Sequence, residues 1–143
     1  MTACPFRIRS RNRCLSAVRF GREDAARALL ILLPLAEERK GAVRPAVAVG
    51  QAMARSGWQT ILFDYAGTGD SPGDFSSTTW DGLVGDATAA LDLLRARSVS
   101  LLGIRLGGRL ALDLAVRHPR DVDRICLWQP VLDGAAWLRE LRR

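Results

Sequence analysis

Apolar residues in this chain fall into short continuous runs separated by longer periodic segments. Residues 28–34 (ALLILLP), 59–65 (QTILFDY), 99–103 and 124–131 (RICLWQPV) have the length and composition of buried strands. Pro130 is expected to end the last of these or to sit at its edge. Residues 44–56 are rich in Ala and Val and predict a helix, with Pro45 in the first turn, where its missing N–H is tolerated. Thr78 or Thr79 is placed to cap a second helix running to about Arg97, on which Leu83, Ala87, Ala90, Leu91 and Leu94 form one apolar face. Residues 106–117 predict a third, with Arg109, Asp113 and Arg117 at pairing distance along it. A short amphipathic helix over 134–143 carries Trp137, Leu138 and Leu141.

Strand-like and helix-like segments that alternate in this way imply parallel strands joined by right-handed crossovers. The expected fold class is α/β: a three-layer α/β/α arrangement around a mostly parallel sheet. The chain reads as one domain, with N-terminal strands or a tail over 1–27, a core over 28–133 and the amphipathic helix over 134–143. Ligands of such sheets bind at the carboxyl ends of the strands. The loops that follow the first three runs are therefore the places to look for chemistry.

Composition narrows the class. At 143 residues, with 48% hydrophobic and 25% charged, the chain can bury a real core. No apolar run approaches the length of a membrane span, and Met1 to Phe20 lacks the continuous apolar stretch of a secretory signal. The net charge of +6 raises the question of nucleic acid, but the basic residues are scattered from Arg7 to Arg143 among 15 acids. Their densest stretch, Arg7, Arg9, Arg11 and Arg13, would share one face of a strand. Such a stripe suits phosphates or anionic lipid, and it equally suits a solvated edge strand whose charges discourage aggregation. The edge strand is the reading adopted, with no nucleic-acid partner. Cys4, Cys14 and Cys126 show no metal-binding spacing, so neither a disulfide framework nor a metal site is expected, and Cys126 is expected in the core. A reducing cytoplasm is the expected compartment. No motif calls for a cofactor.

The loop after the first run is Pro34-Leu35-Ala36-Glu37-Glu38, and it contains two carboxylates. The loop after the second is Asp64-Tyr65-Ala66-Gly67-Thr68-Gly69-Asp70-Ser71. Its glycines do not have dinucleotide-binding spacing, no lysine accompanies them, and Asp70 and Asp74 would repel a phosphate. Gly67, Gly69 and Ser71 are expected to shape a tight turn at the rim of a site, with Asp64 beside it. The third loop carries the sequence Gly103-Ile104-Arg105-Leu106-Gly107. Small residues two before and two after a central residue, between a strand and a helix, form the frame of a nucleophile elbow. The central residue is Arg105, whose guanidinium stays protonated and has no lone pair to give. In that place it suits a carboxylate or phosphate, or a salt bridge to Glu37 or Glu38. The only histidine, His118, falls at the end of the helix after the elbow, and Asp133 has no evident partner.

These loops together resemble the α/β-hydrolase superfamily, particularly its serine aminopeptidase-like members. LLPLAEE (32–38), FDYAGTGDSPGDF (63–75), LLGIRLGG (101–108) and LWQPVLDG (127–134) are more narrowly similar to the exosortase A-associated hydrolases of the second type. The resemblance implies a hydrolase of ester or amide bonds. It also implies oxyanion-hole donors from the backbone of Leu35 or Ala36 and of Leu106. Arg105 stands where the superfamily places its nucleophile, and the later acid and histidine do not follow. The resemblance thus implies a chain that corresponds to the N-terminal half of that fold. The expectations are a chain inactive alone, or a binding module that anchors a small anionic ligand through Arg105. Its partner is a second copy or a separate C-terminal half.

Overall fold

The computed structural model describes residues 3–143. Its elements are strands β1 (Cys4–Ser10), β2 (Arg13–Phe20) and β3 (Arg27–Leu32), helix α1 (Glu37–Arg55), strand β4 (Gln59–Phe63), helix α2 (Trp80–Asp92), strand β5 (Ser98–Ile104), helix α3 (Leu106–Arg117), strand β6 (Arg124–Trp128) and helix α4 (Gly134–Leu141). The six strands form one sheet in the order β1-β2-β4-β3-β5-β6. β3, β4, β5 and β6 run parallel, and the hairpin β1–β2 joins them antiparallel through β2 and β4.

The three layers follow from the parity of the strands. Ile8 and Ser10 of β1 point to the face on which Ser10 reaches Asp86 of α2. Phe20 of β2 points to the other face, where its ring lies against Gly50 of α1. β3 and β4 lie between these layers, which is why Ala28 to Leu32 and Gln59 to Phe63 are buried without alternation. Each Leu or Ile fully enclosed there contributes about 1.5–3 kcal/mol relative to exposure.

Several local expectations are corrected. The first helix starts at Glu37, not at residue 44, because Glu37 and Glu38 suit the positive end of the helix dipole. Pro45 therefore lies inside the helix rather than in its first turn. The second helix ends at Asp92, although the turn that follows keeps Leu94 buried, and Thr79 rather than Thr78 caps it. β6 stops at Trp128, short of Pro130. The arginine stripe is divided by a turn: Arg7 and Arg9 lie on β1, Arg11 at φ 56° turns the hairpin, and Arg13 begins β2. Cys126 is exposed rather than in the core, because β6 is the outermost strand.

Arg13 also shows how the hairpin is attached. Its guanidinium donates to the Asp86 carboxylate at 3.1 Å. The same carboxylate, 1% exposed, accepts from the Ser10 hydroxyl at 2.7 Å and from the Ala66 backbone N–H at 2.9 Å. One buried charge thus joins the hairpin, α2 and the loop after β4. Asp86→Ala leaves these donors unpaired and is expected to destabilise the fold by about 3 kcal/mol, read as a lower midpoint in urea titration. Asp86→Asn, which keeps an acceptor oxygen, is expected to lose less.

Candidate functional site

The loops after β3, β4 and β5 meet at the carboxyl end of the sheet because α1 reaches both of its neighbours. Two adjacent residues in its first turn point opposite ways. Arg39 forms an ion pair with Asp64 at the end of β4, and Glu38 forms one with Arg105 at the end of β5. Asp64 also accepts the Asp70 N–H at 3.0 Å, and Ser71 donates its hydroxyl to the Asp64 carbonyl at 2.6 Å. Gly67 at φ 76° and Gly69 at φ 49° let the chain fold back on itself, and a Cβ on Gly69 would strike the Asp64 carboxylate. Gly67, Gly69 and Ser71 therefore shape this turn. Asp64 is engaged in holding that turn.

The β5–α3 corner is tighter still. Arg105 adopts φ 55°, ψ −118°, a conformation that costs roughly 1–3 kcal/mol for a residue with a side chain. Three backbone hydrogen bonds enforce it: Arg105 N–H donates to the Trp128 carbonyl, and the Arg105 carbonyl accepts from Gly108 and Val131, all at 3.0 Å. The corner also needs its glycines. A Cβ on Gly103 would lie 2.4 Å from the Gly107 carbonyl oxygen, and one on Gly107 would lie 2.0 Å from that of Leu32. Leu106 opens α3, so its N–H has no acceptor within the helix. Leu106 and Leu35 line one apolar crevice with Tyr65 and Trp80. Ala36, at φ 57°, precedes α1.

The Arg105 side chain is held at several points. Its Nε donates to Glu38 Oε2 at 2.9 Å and its Nη1 to the Gln129 carbonyl at 3.0 Å, while Glu140 Oε2 lies 3.8 Å from Nη2. Glu38 Oε1 accepts from the Trp137 indole at 2.8 Å. Glu38 is the partner of the two candidates, because Glu37 turns to Lys40 at the surface. The roles of Trp137 and Glu140 were not foreseen; no spacing in the sequence relates α4 to Glu38. Beside the guanidinium opens a cleft of about 180 Å³, lined by Pro34, Pro45, Ile104 and Trp128 together with Glu38.

The other titratable candidates lie elsewhere. His118 closes the far end of α3, roughly 18 Å of helix from Arg105. Asp133 caps α4 by accepting from Ala135 and Ala136. Asp113 pairs with Arg117, not Arg109, and also accepts from the Trp80 indole. The Arg117 guanidinium and then the Trp80 N–H hold its carboxyl below the usual range. Burial, aided by the Asp86 charge, pushes the Tyr65 hydroxyl well above its usual value, so it remains protonated, donating to the Leu33 carbonyl. Among the described residues, no cluster of His, Cys, Asp or Glu could hold a metal, and no helix is long and apolar enough to cross a membrane.

Sheet order and corner geometry have a counterpart in sequence. Residues 26–142 match the model of the serine aminopeptidase family, S33. The chain belongs to that family. Solved structures share the fold at low identity. A predicted CIB-like hydrolase from Thermoplasma acidophilum superposes with a TM-score of 0.76 at 14% identity, over 94% of this chain and 66% of that one. A proline iminopeptidase-related protein from Thermus thermophilus gives 0.69 at 21%, over 91% of this chain and 45% of that one. An epoxide hydrolase from Vigna radiata gives 0.69 at 20%, over 87% and 39%. The chain therefore spans less than two-thirds of the length of each. The fold is that of the α/β hydrolases, as the loop motifs implied, and the chain corresponds to part of it.

Glu38→Ala removes the acceptor shared by Arg105 and Trp137. Both ion-pair side chains are partly solvated, so the expected loss is about 1–2 kcal/mol, with a change in near-UV circular dichroism as the Trp137 indole is released. Asp113 supplies a pH signature. Its folded pKa lies below the unfolded one, so its contribution is present above the normal carboxylate range and is lost as pH falls through the lowered value. Asp113→Asn is expected to flatten that acid limb in melting temperature against pH.

Proposed function

We propose that Arg105 occupies the place of the family nucleophile and that this chain is a hydrolase-family protein without serine-hydrolase turnover of its own. The observation that carries this reading is the strained corner itself. A guanidinium stands at φ 55° between β5 and α3, framed by Gly103 and Gly107, where the family's chemistry calls for a reactive oxygen. Arginine has no lone pair with which to attack a carbonyl. His118 lies too far away to serve as a base, and Asp133 is used as a helix cap. The backbone N–H of Leu106, with that of Leu35 across the crevice or of Ala36 next to it in sequence, supports the layout of an oxyanion hole, because backbone donors survive a side-chain change. In this reading Glu38 borders the site, Asp64, Gly67, Gly69 and Ser71 form the turn beside α1, and Glu37 pairs with Lys40 at the surface. The motifs GIRLG and WQPV support a narrower assignment, to an accessory role beside exosortase and exopolysaccharide systems.

A second reading is favoured by the cleft next to Arg105. The Arg105 side chain is 31% exposed and borders open space, so a small carboxylate or phosphate can compete with Glu38 for its guanidinium. In this reading the chain is a binding module, and Glu38 fills the anion position when no ligand is bound.

A fluorophosphonate probe tests the first reading. No stoichiometric serine adduct is expected on the whole chain, and a stoichiometric adduct overturns the proposal. For the second, carboxylates or inorganic phosphate are expected to raise the melting temperature of the native chain. Arg105→Ala is expected to abolish that rise while remaining folded.

A further inference from the structure

Helix α4 buries one residue, Trp137, and leaves Leu138 and Leu141 exposed. Its polar ties to the rest of the molecule converge on Arg105. The Trp137 indole donates to Glu38 Oε1 at 2.8 Å, while the other oxygen of that carboxylate accepts from Arg105 Nε at 2.9 Å. Glu140, one turn further along α4, approaches Arg105 Nη2 directly at 3.8 Å.

The two members of the central ion pair are not equally fixed. Arg105 belongs to the strained corner, where its backbone bonds to Trp128, Gly108 and Val131. Its Nη1 also keeps an acceptor of its own, the Gln129 carbonyl at 3.0 Å. Glu38 extends from the first turn of α1 on a flexible side chain, and among the described residues its carboxylate is bonded to Arg105 and Trp137 alone. An anion that reaches the guanidinium therefore displaces Glu38 and leaves Arg105 in place. The cleft beside it, about 180 Å³ with Pro34, Pro45, Ile104 and Trp128 in its walls, suits a carboxylate carrying a short aliphatic tail.

We propose that a short aliphatic carboxylate takes the place of Glu38 on Arg105 and that this exchange releases α4. The inference rests on the binding-module reading and adds to it the ligand class and the response of the protein. Once a ligand carboxylate occupies the guanidinium, Glu38 and Glu140 face a like charge where they faced a cation. Glu38 turns to water, and the Trp137 N–H is left in a mostly desolvated place without its acceptor, an arrangement that buried donors do not sustain. Glu140 loses its cation in the same event, so both polar ties of α4 break together. The coupling is reciprocal: a docked α4 weakens carboxylate binding by the factor by which the carboxylate weakens docking.

Butyrate is the probe, added to the whole chain, with sodium chloride at matched ionic strength as the reference. The chain has four tryptophans, and the indole N–H resonance absent from Trp137→Phe is that of Trp137. Butyrate is expected to move this resonance upfield, as loss of a hydrogen bond to a carboxylate does, and to speed amide exchange over Gly134–Leu141. A melting temperature that rises with butyrate while the Trp137 resonance stays in place overturns the release and leaves the binding reading standing. No rise removes both. An equal movement in chloride is screening of the ion pair and also overturns the release. Glu38→Gln separates charge from hydrogen bond, because its amide oxygen still accepts from the indole while no charge competes for Arg105. It is expected to bind butyrate roughly tenfold more tightly than the native chain, with the Trp137 resonance at its ligand-free position throughout. Affinity equal to that of the native chain overturns the proposal.

Discussion

Two backbones approach each other closely at the corner where β5 turns into α3. Gly107 sits against the Leu32 carbonyl so tightly that a methyl group there would overlap it, and one on Gly103 would overlap the Gly107 carbonyl. Without those two hydrogens in place of side chains, α3 could not lie across the ends of β3 and β5. Everything at the carboxyl end of the sheet follows from that approach. It forces Arg105 into a conformation that residues with side chains avoid, and it brings Glu38 within reach of the guanidinium. It also brings Leu106 alongside Leu35. The strain is local, and β6, the segment after it and the first turn of α3 hold it in place through backbone hydrogen bonds.

Electrostatics at this end is a chain of mutual satisfaction rather than an open field. Arg39 with Asp64, and Glu38 with Arg105 and Trp137, bind two loops and helix α4 to the first turn of α1. A net charge of +6 would suggest a cationic surface, yet the arginines that reach this end are already opposed by carboxylates. Whatever the site receives must therefore compete with internal partners. The chemistry is set by how firmly Glu38 holds its place, more than by the overall charge.

The runs of buried strand were legible because β3 and β4 lie inside the sheet and are apolar on both faces. The glycine frame of the corner was legible because only the smallest residue fits there. Helix α1 was not, because EERK reads as a polar loop until its position next to Asp64 and Arg105 is known. Cys126 misled for the opposite reason: an apolar run at the rim of a sheet looks the same in sequence as one at its centre. Asp86 was invisible as an anchor, although its place three residues after Leu83 and four before Ala90 puts it on the buried face of α2. A carboxylate on such a face requires donors, and the sequence does not say that they come from β1, β2 and the loop after β4.

That anchor bears on the order in which the chain assembles. The β1–β2 hairpin is a local structure, closed by a turn at Arg11. Its attachment at Asp86 spans 76 residues from Ser10 and 73 from Arg13. Closing a loop of that length is entropically costly and is rewarded only after α2 has docked on the sheet. The hairpin is thus earliest in sequence and late in consolidation: it waits for a partner made much further along the chain.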